Sequence, residues 1–474
     1  MIISLSWKNV WRNKTRSLVV IFAVLLGLFG GTMAVGIMNG WIAQRLHDAI
    51  YKEMSHVQIH NADFMNNEEV HLTINNYDNI TSVLDTMKDV VAYTSCVKVF
   101  AMMQTDWAAT GGIIKGIDPE REKTVSEVYQ TIIDGDYFAE NGRIPSIVIG
   151  SKMAENLKLK NYQITPDKLQ EMKNSDFPPE MADKLKEVGE KRYRTEKDFT
   201  NTLSEHLNKE EFEKYEDKLI NYFSFFRLGS KIALTLQSAN DQLVTPVFRV
   251  KGIYKTSNTM FDGMTAFVEK DVLDGYLGLN KNDVHEITII STDDATGNLL
   301  GEKLSSLFPD QSVLSWKKIS PELAMYADFG KLMNYFYVVI ILLALAFGII
   351  NTMMMSVLER VKELGMLMAI GMNKIRVFSM IMLESVFLAL SGALAGMLIS
   401  GVIIAILHEK GLNFGMWAEG FEAIGYASVV YPFITADTFI GITLLVILTG
   451  MMASIWPARK ALKLNPAEAI RSDM

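Results

Sequence analysis

Four long apolar stretches divide this chain. They cover residues 17–39, 332–357, 377–407 and 438–457, and Glu384 is the only charged side chain within them. About 20 apolar residues in a helix, rising about 1.5 Å each, cross a hydrocarbon core of roughly 30 Å. We therefore predict four transmembrane helices at these positions.

The long segment between the first two stretches, residues 40–331, has a different pattern. Short runs at residues 56–60, 247–250 and 286–290 alternate apolar and polar side chains, as half-buried strands do. Polar segments with helical periodicity separate these runs. The pattern predicts a large α+β domain in two lobes.

One part of this domain, residues 160–226, is rich in Lys, Glu and Asp. Apolar side chains recur in it at steps of mostly three or four residues, which predicts helix: Phe199, Leu203, Leu207, Phe212, Tyr215 and Leu219. We interpret the segment as a charged helical insertion. Two roles remain open for it, a solvated excursion or an arm that docks a partner protein.

Basic residues indicate how the chain crosses the membrane. Lys and Arg cluster in residues 1–16, in the loop 358–376 and after residue 458, and Lys and Arg are retained on the cytoplasmic side. We predict that these three segments, including the tail 458–474, are cytoplasmic. Residues 40–331 and the short loop 408–437 then lie on the other side. The first stretch is too long for a secretory signal and is predicted to be a retained anchor.

Composition narrows the function. The chain is 49% hydrophobic and 21% charged, which fits neither an ordinary soluble enzyme nor a protein wholly within the membrane. Its net charge of −8 comes from acidic residues in the middle, which argues against nucleic acid as a partner. The single cysteine, Cys96, excludes an intrachain disulfide, and we expect it to be a small core residue.

The sequence offers few candidates for catalytic, metal-binding or nucleotide-binding residues. We expect no metal site, because no Cys/His cluster or H-E-x-x-H spacing is present, and no catalytic residue. The motif G-x-x-x-x-G-K-[ST] is also missing, so another polypeptide would hydrolyse any ATP that drives this protein. One carboxylate in four spans disfavours an ion-coupled pathway. We expect Glu384 to be hydrogen-bonded to a neighbouring helix near the membrane interface.

The loop between the second and third stretches is amphipathic. Val361, Leu364, Leu367 and Met368 recur at helical spacing, and charged residues precede them. We predict a short helix that inserts this apolar face into a groove on a cytoplasmic partner.

Three segments carry a resemblance to a known family. Residues 359–371, E-R-V-K-E-L-G-M-L-M-A-I-G, resemble the signature of the FtsX-like permease superfamily, which includes MacB-type exporters and lipoprotein-release permeases. Residues 7–16 are similar to the family's amphipathic N-terminal helix. Residues 457–471 resemble its closing motif.

The resemblance implies a fold, a location and partners. The fold is an α-helical membrane protein with four transmembrane helices and a MacB-type periplasmic α+β domain between helices 1 and 2. The location is the bacterial inner membrane, with both termini cytoplasmic. The chain would be a non-catalytic permease subunit that pairs with a second copy or a paralogue. A dimer of ABC ATPase subunits would bind ATP and Mg²⁺, leaving no cofactor on this chain.

The resemblance also implies roles for individual residues. Contact with the ATPase is assigned to Glu359, Arg360, Lys362, Glu363, Leu364, Gly365, Leu367 and Gly371. The N-terminal amphipathic helix is assigned Trp7, Asn9, Trp11 and Arg12. Met33, Met38 and Met333 are candidate substrate-facing residues, because methionine adapts to acyl chains, although ordinary packing against helices or lipid explains them equally well.

The cargo is predicted from two short segments that resemble one branch of the family. Residues 38–41, M-N-G-W, and 55–59, S-H-V-Q-I, resemble the lipoprotein-release branch. We therefore favour extraction of lipoproteins from the inner membrane, with a periplasmic carrier or adaptor protein as a further partner. The alternatives are MacB-like efflux of small molecules or peptides, and FtsX-like mechanical activation of a periplasmic cell-wall hydrolase.

Overall fold

The computed structural model describes residues 2–12, 14–138, 142–173 and 177–462. The chain forms two compact units. The helical unit comprises Met1–Gln44, Met325–Ala418 and Ala427–Met474, as far as these are described, and the α/β unit comprises Arg45–Ala324 and Glu419–Tyr426. Most of the closing motif, residues 463–471, lies outside the described residues.

Nineteen α-helices are present in the described ranges. They are α1 Ile2–Arg12, α2 Lys14–Asp48, α3 Phe64–Asn67, α4 Tyr77–Leu84, α5 Pro119–Glu122, α6 Ser151–Asn156, α7 Pro166–Met172, α8 Pro179–Leu185, α9 Glu196–His206, α10 Lys209–Phe223, α11 Thr259–Met264, α12 Lys270–Leu277, α13 Asp294–Leu307, α14 Trp316–Ile319, α15 Pro321–Glu359, α16 Val361–Ala369, α17 Lys374–Lys410, α18 Ala418–Ala423 and α19 Ala436–Leu462.

Sixteen strands accompany them in the same ranges. They are β1 Val57–Asn61, β2 Val90–Gln104, β3 Ala109–Ile117, β4 Ile132–Gly135, β5 Ser146–Gly150, β6 Lys160–Gln163, β7 Arg192–Tyr193, β8 Ser224–Phe226, β9 Lys231–Gln237, β10 Leu243–Val244, β11 Val247–Tyr254, β12 Thr265–Glu269, β13 Glu286–Ser291, β14 Gln311–Ser315, β15 Leu412–Asn413 and β16 Val429–Val430.

Four helical segments are long and apolar enough to cross a membrane: Ser17–Met54, Leu332–Glu359, Lys374–Lys410 and Ala436–Leu462. The predicted fold class, four transmembrane helices with a large α+β domain between the first two, is confirmed. The helices extend beyond the apolar stretches. For example, α2 continues past residue 39 to Asp48, because the polar residues that end the apolar run do not break a helix. The helix α15 begins at Pro321, a residue that favours a first turn.

The helical unit is closely packed where α2 meets α17. A Cβ atom on Gly392 would lie 2.7 Å from Val24 Cβ, and one on Gly396 would lie 2.9 Å from Leu28 Cδ2. The two glycines are four residues apart on one face of α17, the spacing that lets membrane helices approach closely. Aliphatic side chains fill the rest of this core.

In the α/β unit, six strands close into a ring. The order is β9, β11, β5, β12, β3 and β2, and β2 then pairs with β9 over residues 101–104. The pairs β11–β5 and β12–β3 are parallel, and the other pairs in the ring are antiparallel. Buried side chains from every strand of the ring fill its core, for example Met103, Ile147 and Phe248.

A second sheet shares β2 with the ring. The first part of β2, residues 90–96, pairs with β13, and β1 lies between β13 and β14. The sequence predicted β1 to be half-buried, and this is wrong: Gln58 and His60 are buried like their apolar neighbours. These polar side chains are tolerated in the core because they are hydrogen-bonded to each other, and His60 is also hydrogen-bonded to the carbonyl of His285.

The polar side of β1 belongs to a buried charge cluster around Glu286. Glu286 is fully buried, and its carboxylate contacts Lys98 Nζ, Lys115 Nζ at 3.5 Å and His60 Nε2 at 3.6 Å. Burial alone would raise the pKa of Glu286, but Lys115 and Lys98 outweigh it and hold that pKa below its ordinary range. Burial lowers the pKa of His60 to about 4. Cys96, a buried core residue as expected, lies beside the cluster.

The charged segment 160–226 folds around a core of its own. It holds α7 to α10, in line with the helical pattern, but also a sheet in the order β7–β6–β8, which the sequence did not predict. The strand β6 reads K-N-Y-Q and lacks apolar alternation. The periodic residues from Phe199 to Leu219 form two helices, because Asn208 and Glu211 build a capping box that starts α10.

The chain is strained directly after α2. Residues Ala49–Met54 form a π-helical turn, closed by a bond from Ser55 N–H to the Ile50 carbonyl. Ser55 then adopts φ 63° and ψ 177°, a conformation that is almost restricted to glycine. Ion pairs hold the turn in place, including Arg45 to Glu53 at 2.6 Å, and Asn258 also donates to Glu53.

We expect Ser55→Gly to stabilise the α/β unit by about 1 kcal/mol, because glycine adopts this backbone conformation without strain. Ser55→Ala, which keeps the strain, serves as the matched control and should give no gain. Hydrogen exchange of residues 49–61 in the full chain would measure both. Equal protection in the two variants would contradict the strain.

Candidate coupling site

The N-terminal helix α1 packs against α17. Ser6 Oγ donates to the Met380 carbonyl at 3.2 Å, and the ring of Trp7 meets Phe387 edge-on with centroids 5.3 Å apart. Val10 is fully buried, whereas Trp7 and Trp11 stay partly exposed. Tryptophan in this half-exposed state is typical of a membrane interface. The amphipathic pattern of α1 therefore has one side on the helical unit.

Four charged side chains link α1, α16 and α17. Arg12 Nη2 donates to Glu363 Oε2 at 2.7 Å. Arg360 donates from Nε to the same carboxylate at 3.1 Å and from Nη1 to Glu384 Oε2, also at 3.1 Å. Arg360 and Glu384 are only 13% and 8% exposed. The predicted hydrogen bond between Glu384 and a neighbouring helix is therefore a buried ion pair, in which Glu384 accepts from Arg360 at the start of α16.

Glu363 is the centre of this charge chain. The bond from Arg12, with a further bond from Arg360, holds the pKa of Glu363 below its ordinary value. The carboxylate therefore stays ionised and bridges two guanidinium groups. The position of α16 relative to α1 and α17 is fixed at this point by charge.

The face that α16 presents differs from the prediction. Val361 and Leu364 were predicted to insert into a partner, but both are buried within this chain, and Leu364 belongs to the core of the helical unit. The exposed apolar side chains are Met366, Ile370 and Ile375, and Ile370 is 80% exposed. The periodicity located the apolar face correctly but could not tell whether it faces inward or outward.

A tight turn joins α16 to α17. Gly371 has φ +98°, and the bonds from Gly371 N–H to the Met368 carbonyl and from Met372 N–H to the Leu367 carbonyl close a Schellman motif. Asn373 then caps α17 by accepting from Ile375 N–H at 3.0 Å. The turn holds Ile370 and Ile375 at adjacent helix ends.

The other predicted site residues have varied positions. Glu359, Lys362 and Gly371 are exposed, Leu367 and Asn9 are half-buried, and Gly365 is buried. Met33 and Met38 are half-buried, and Met333 is exposed. Sequence reasoning missed the exposed trio of Met366, Ile370 and Ile375. The sequence contained a signal for this second apolar face, since Met366 and Ile370 are four residues apart, as neighbours on one side of a helix are. The larger apolar face formed by Val361, Leu364, Leu367 and Met368 obscured it.

Four apolar helices, an α+β domain between the first two and an amphipathic segment between the second and third define an integral membrane protein. Residues 335–466 match the family described as FtsX-like permease C-terminal. This part of the chain is therefore an FtsX-like permease domain, as the resemblance of residues 359–371 predicted.

Two relatives that are similar in sequence are also described as permeases. An uncharacterised ABC transporter permease of Methanocaldococcus jannaschii is 28% identical over 235 residues, which cover 48% of this chain and 55% of that protein. The macrolide export ATP-binding/permease protein MacB of Chlorobium luteolum is 36% identical over 124 residues, 26% of this chain and 16% of that protein. The chain thus matches about half of the first relative and a small part of the second.

Two solved structures show weak similarity to this chain. The extracellular domain of the transporter YknZ from Gram-positive bacteria covers 55% of this chain and 99% of its own, with 13% identity and a TM-score of 0.28. The periplasmic region of MacB from Actinobacillus actinomycetemcomitans covers 59% and 98%, with 10% identity and a TM-score of 0.30. At this level the similarity carries no information on function.

Proposed function

We propose that this chain is the membrane subunit of an ATP-driven ABC transporter, and that a separate ATPase pushes on it at the coupling site. The observation that carries the proposal is the charge chain from Arg12 through Glu363 and Arg360 to Glu384. It ties α16 to two other helices, so a push on α16 would move all three together. The exposed Ile370 and Ile375 supply apolar contact for the partner.

The remaining parts of the assembly follow from this role. In the proposal, α1, α16 and the chain beyond α19 are cytoplasmic, and the α/β unit lies outside the bacterial inner membrane. ATP and Mg²⁺ bind to an ATPase dimer, and a second copy of this chain or a paralogue completes the membrane part. This chain itself performs no catalysis.

We propose that the energy of ATP hydrolysis moves a substrate that does not pass through the core of the helical unit. The contact of α2 with α17 at Gly392 and Gly396 is close-packed, and Arg360 neutralises Glu384, the one carboxylate predicted within a span. Such a core suits force transmission better than passage of a polar solute. We propose lipoproteins of the inner membrane as the cargo, on the strength of residues 38–41 and 55–59.

The coupling role is tested by placing charge on the two most exposed residues of the trio, Ile370 and Ile375. We expect the double variant Ile370→Glu, Ile375→Glu to reduce co-purification of the partner ABC ATPase by roughly tenfold or more, because the two carboxylates would be buried in the contact without partners. Met416→Glu is the control, since Met416 is as exposed but lies in the loop between the last two spans. Undiminished co-purification in the double variant would refute the site.

The cargo is tested separately in proteoliposomes that contain the chain, its ATPase and a labelled lipoprotein. We expect ATP-dependent release of the lipoprotein to a soluble carrier. Release of a small molecule or peptide in its place would favour the MacB-like alternative, and ATP-dependent activation of a cell-wall hydrolase would favour the FtsX-like one.

A further inference from the structure

The segment between α17 and α19 is held against the C-terminal part of α2. We call residues 411–418 and 427–431 the strap; both parts belong to the helical unit and pair through β15 and β16. The side chain of Gln44 extends this pairing: its Nε2 donates to the Val429 carbonyl and its Oε1 accepts from Tyr431 N–H, both at 3.1 Å. The amide of Gln44 thus takes the place of a third strand beside β16.

A glycine lets the strap approach α2 closely. A Cβ atom on Gly40 would lie 2.6 Å from the Tyr431 carbonyl oxygen, so a larger residue there would displace the strap. One residue further on, Trp41 Nε1 donates to the Ala427 carbonyl at 3.4 Å. The contact extends over residues 40–44, a little more than one turn of α2. The position of the strap therefore depends on that of α2, and the reverse.

Aromatic rings place the strap at the boundary of the apolar region. Trp41 lies between residue 39, where the apolar run of α2 ends, and Arg45, the first charged residue after it. Tryptophan is enriched where a span leaves the hydrocarbon core. The ring centroids of Trp41 and Phe414 are 5.1 Å apart, and those of Phe414 and Trp417 are 6.4 Å apart. The strap therefore begins at the level of the membrane interface.

The strap exposes large apolar side chains and carries no charge. Met416 is 88% exposed and Trp417 is 60% exposed. Neither part of the strap contains Asp, Glu, Lys, Arg or His. An exposed apolar patch marks a contact with a membrane or with another protein. Here the two spans that the strap connects, α17 and α19, already hold it beside the bilayer, so contact with lipid needs no separate encounter.

We propose that the strap binds the interfacial region of the lipid bilayer, with Met416 and Trp417 inserted beside the acyl chains, and that this anchor holds the C-terminal end of α2. A short segment with apolar side chains on its exposed face lies in the interface without crossing it. The proposal goes beyond the proposed transport function, because it requires neither ATP nor the ATPase. It also holds for either orientation of the chain in the membrane.

The first test measures where residue 416 lies. Met416→Cys carries a nitroxide spin label in the full chain, reconstituted without other transport proteins in phosphatidylcholine nanodiscs; Cys96 is buried, and unmutated protein checks that it stays unlabelled. Leu398→Cys, in the middle of α17, and Leu299→Cys, on α13, are the references, since both side chains are also exposed. Oxygen concentrates among acyl chains, whereas a polar nickel chelate stays in water. We expect the ratio of oxygen to chelate collisions at residue 416 to be several times that at residue 299 and to approach that at residue 398.

The second test asks whether the anchor holds the strap on α2. Met416→Ser combined with Trp417→Ser removes the apolar side chains and leaves the bonds to Gln44 in place. We expect amide exchange of residues 427–431 in nanodiscs to become several times faster, because the strap opens more often without its lipid contact. Leu299→Ser removes an exposed apolar side chain outside the strap and should leave this exchange unchanged.

Two results would overturn the proposal. One is a label at residue 416 that the chelate reaches as readily as the label at residue 299; a soluble apolar partner would then be the occupant of this surface. The other is unchanged exchange of residues 427–431 in the double serine variant, which would show that the exposed side chains do not hold the strap. The label on Trp417→Cys, the neighbouring exposed position, repeats the first measurement independently.

Discussion

Glu363→Lys should reduce transport per ATP hydrolysed by roughly tenfold, a typical size for the loss of coupling between two sites. The substitution places a third cation beside Arg12 and Arg360, so the bridge that holds α16 is replaced by repulsion. The protein should still insert, because Glu363 is partly exposed and lies between two spans. Transport and ATP hydrolysis in reconstituted vesicles would measure the ratio.

A charge exchange provides the decisive control. Arg12→Glu alone should also uncouple, whereas Arg12→Glu combined with Glu363→Arg restores one attractive pair and should recover part of the activity. Glu409→Lys reverses an exposed carboxylate near the opposite end of α17 and should have no effect. Wild-type coupling in Glu363→Lys would show that the charge chain does not transmit force.

The second large effect is expected at the buried cluster in the α/β unit. Glu286→Gln leaves Lys98 and Lys115 without their counter-charge in a site closed to water. Removing one partner of a buried ion pair typically costs about 3–5 kcal/mol. We expect hydrogen exchange in β2 and β13 of the full chain to accelerate accordingly. Glu302→Gln changes an exposed carboxylate of the same unit and should leave exchange unchanged.

The same cluster makes the α/β unit sensitive to acid. The pKa of Glu286 is held below its ordinary value, so its stabilisation is present at neutral pH and is lost as the pH falls through the acidic range. His60, with its pKa lowered to about 4, adds to this between about pH 6.5 and 4, because the unfolded chain takes up its proton first. The stability that wild type has in excess of Glu286→Gln should therefore shrink as the pH falls through the acidic range. A difference between the two proteins that does not change with pH would contradict this account.

The sequence predicted well those features that depend on local composition. The four spans follow from the length of each apolar run, since the bilayer sets a minimum length whatever the neighbours are. Residues 359–371 were recognised because their motif is contiguous. The strands β11 and β13 were located by the alternation of apolar and polar side chains, although β13 is buried along its whole length rather than half-buried. The helices α9 and α10 were located by the spacing of their apolar residues.

Features that depend on distant contacts were out of reach. Whether Leu364 or Ile370 faces outward depends on α1 and α17, which are remote in the sequence. The polar residues of β1 looked solvent-facing because nothing in residues 56–60 reveals the cations on β2 and β3 that neutralise Glu286. Closure of the ring by β9 and β2 joins residues more than a hundred positions apart, a pairing that no local pattern encodes.

The shared strand β2 has a practical consequence for anyone who wishes to produce a soluble fragment. A fragment designed to contain only the ring would lose β13 and leave the first part of β2 unpaired. A fragment designed to contain only the second sheet would lose β9 and open the ring. A fragment that keeps every pairing of β2 and both sheets whole runs from Arg45 to Ala324. Shorter versions that remove a strand should aggregate, because each exposes an unpaired strand edge.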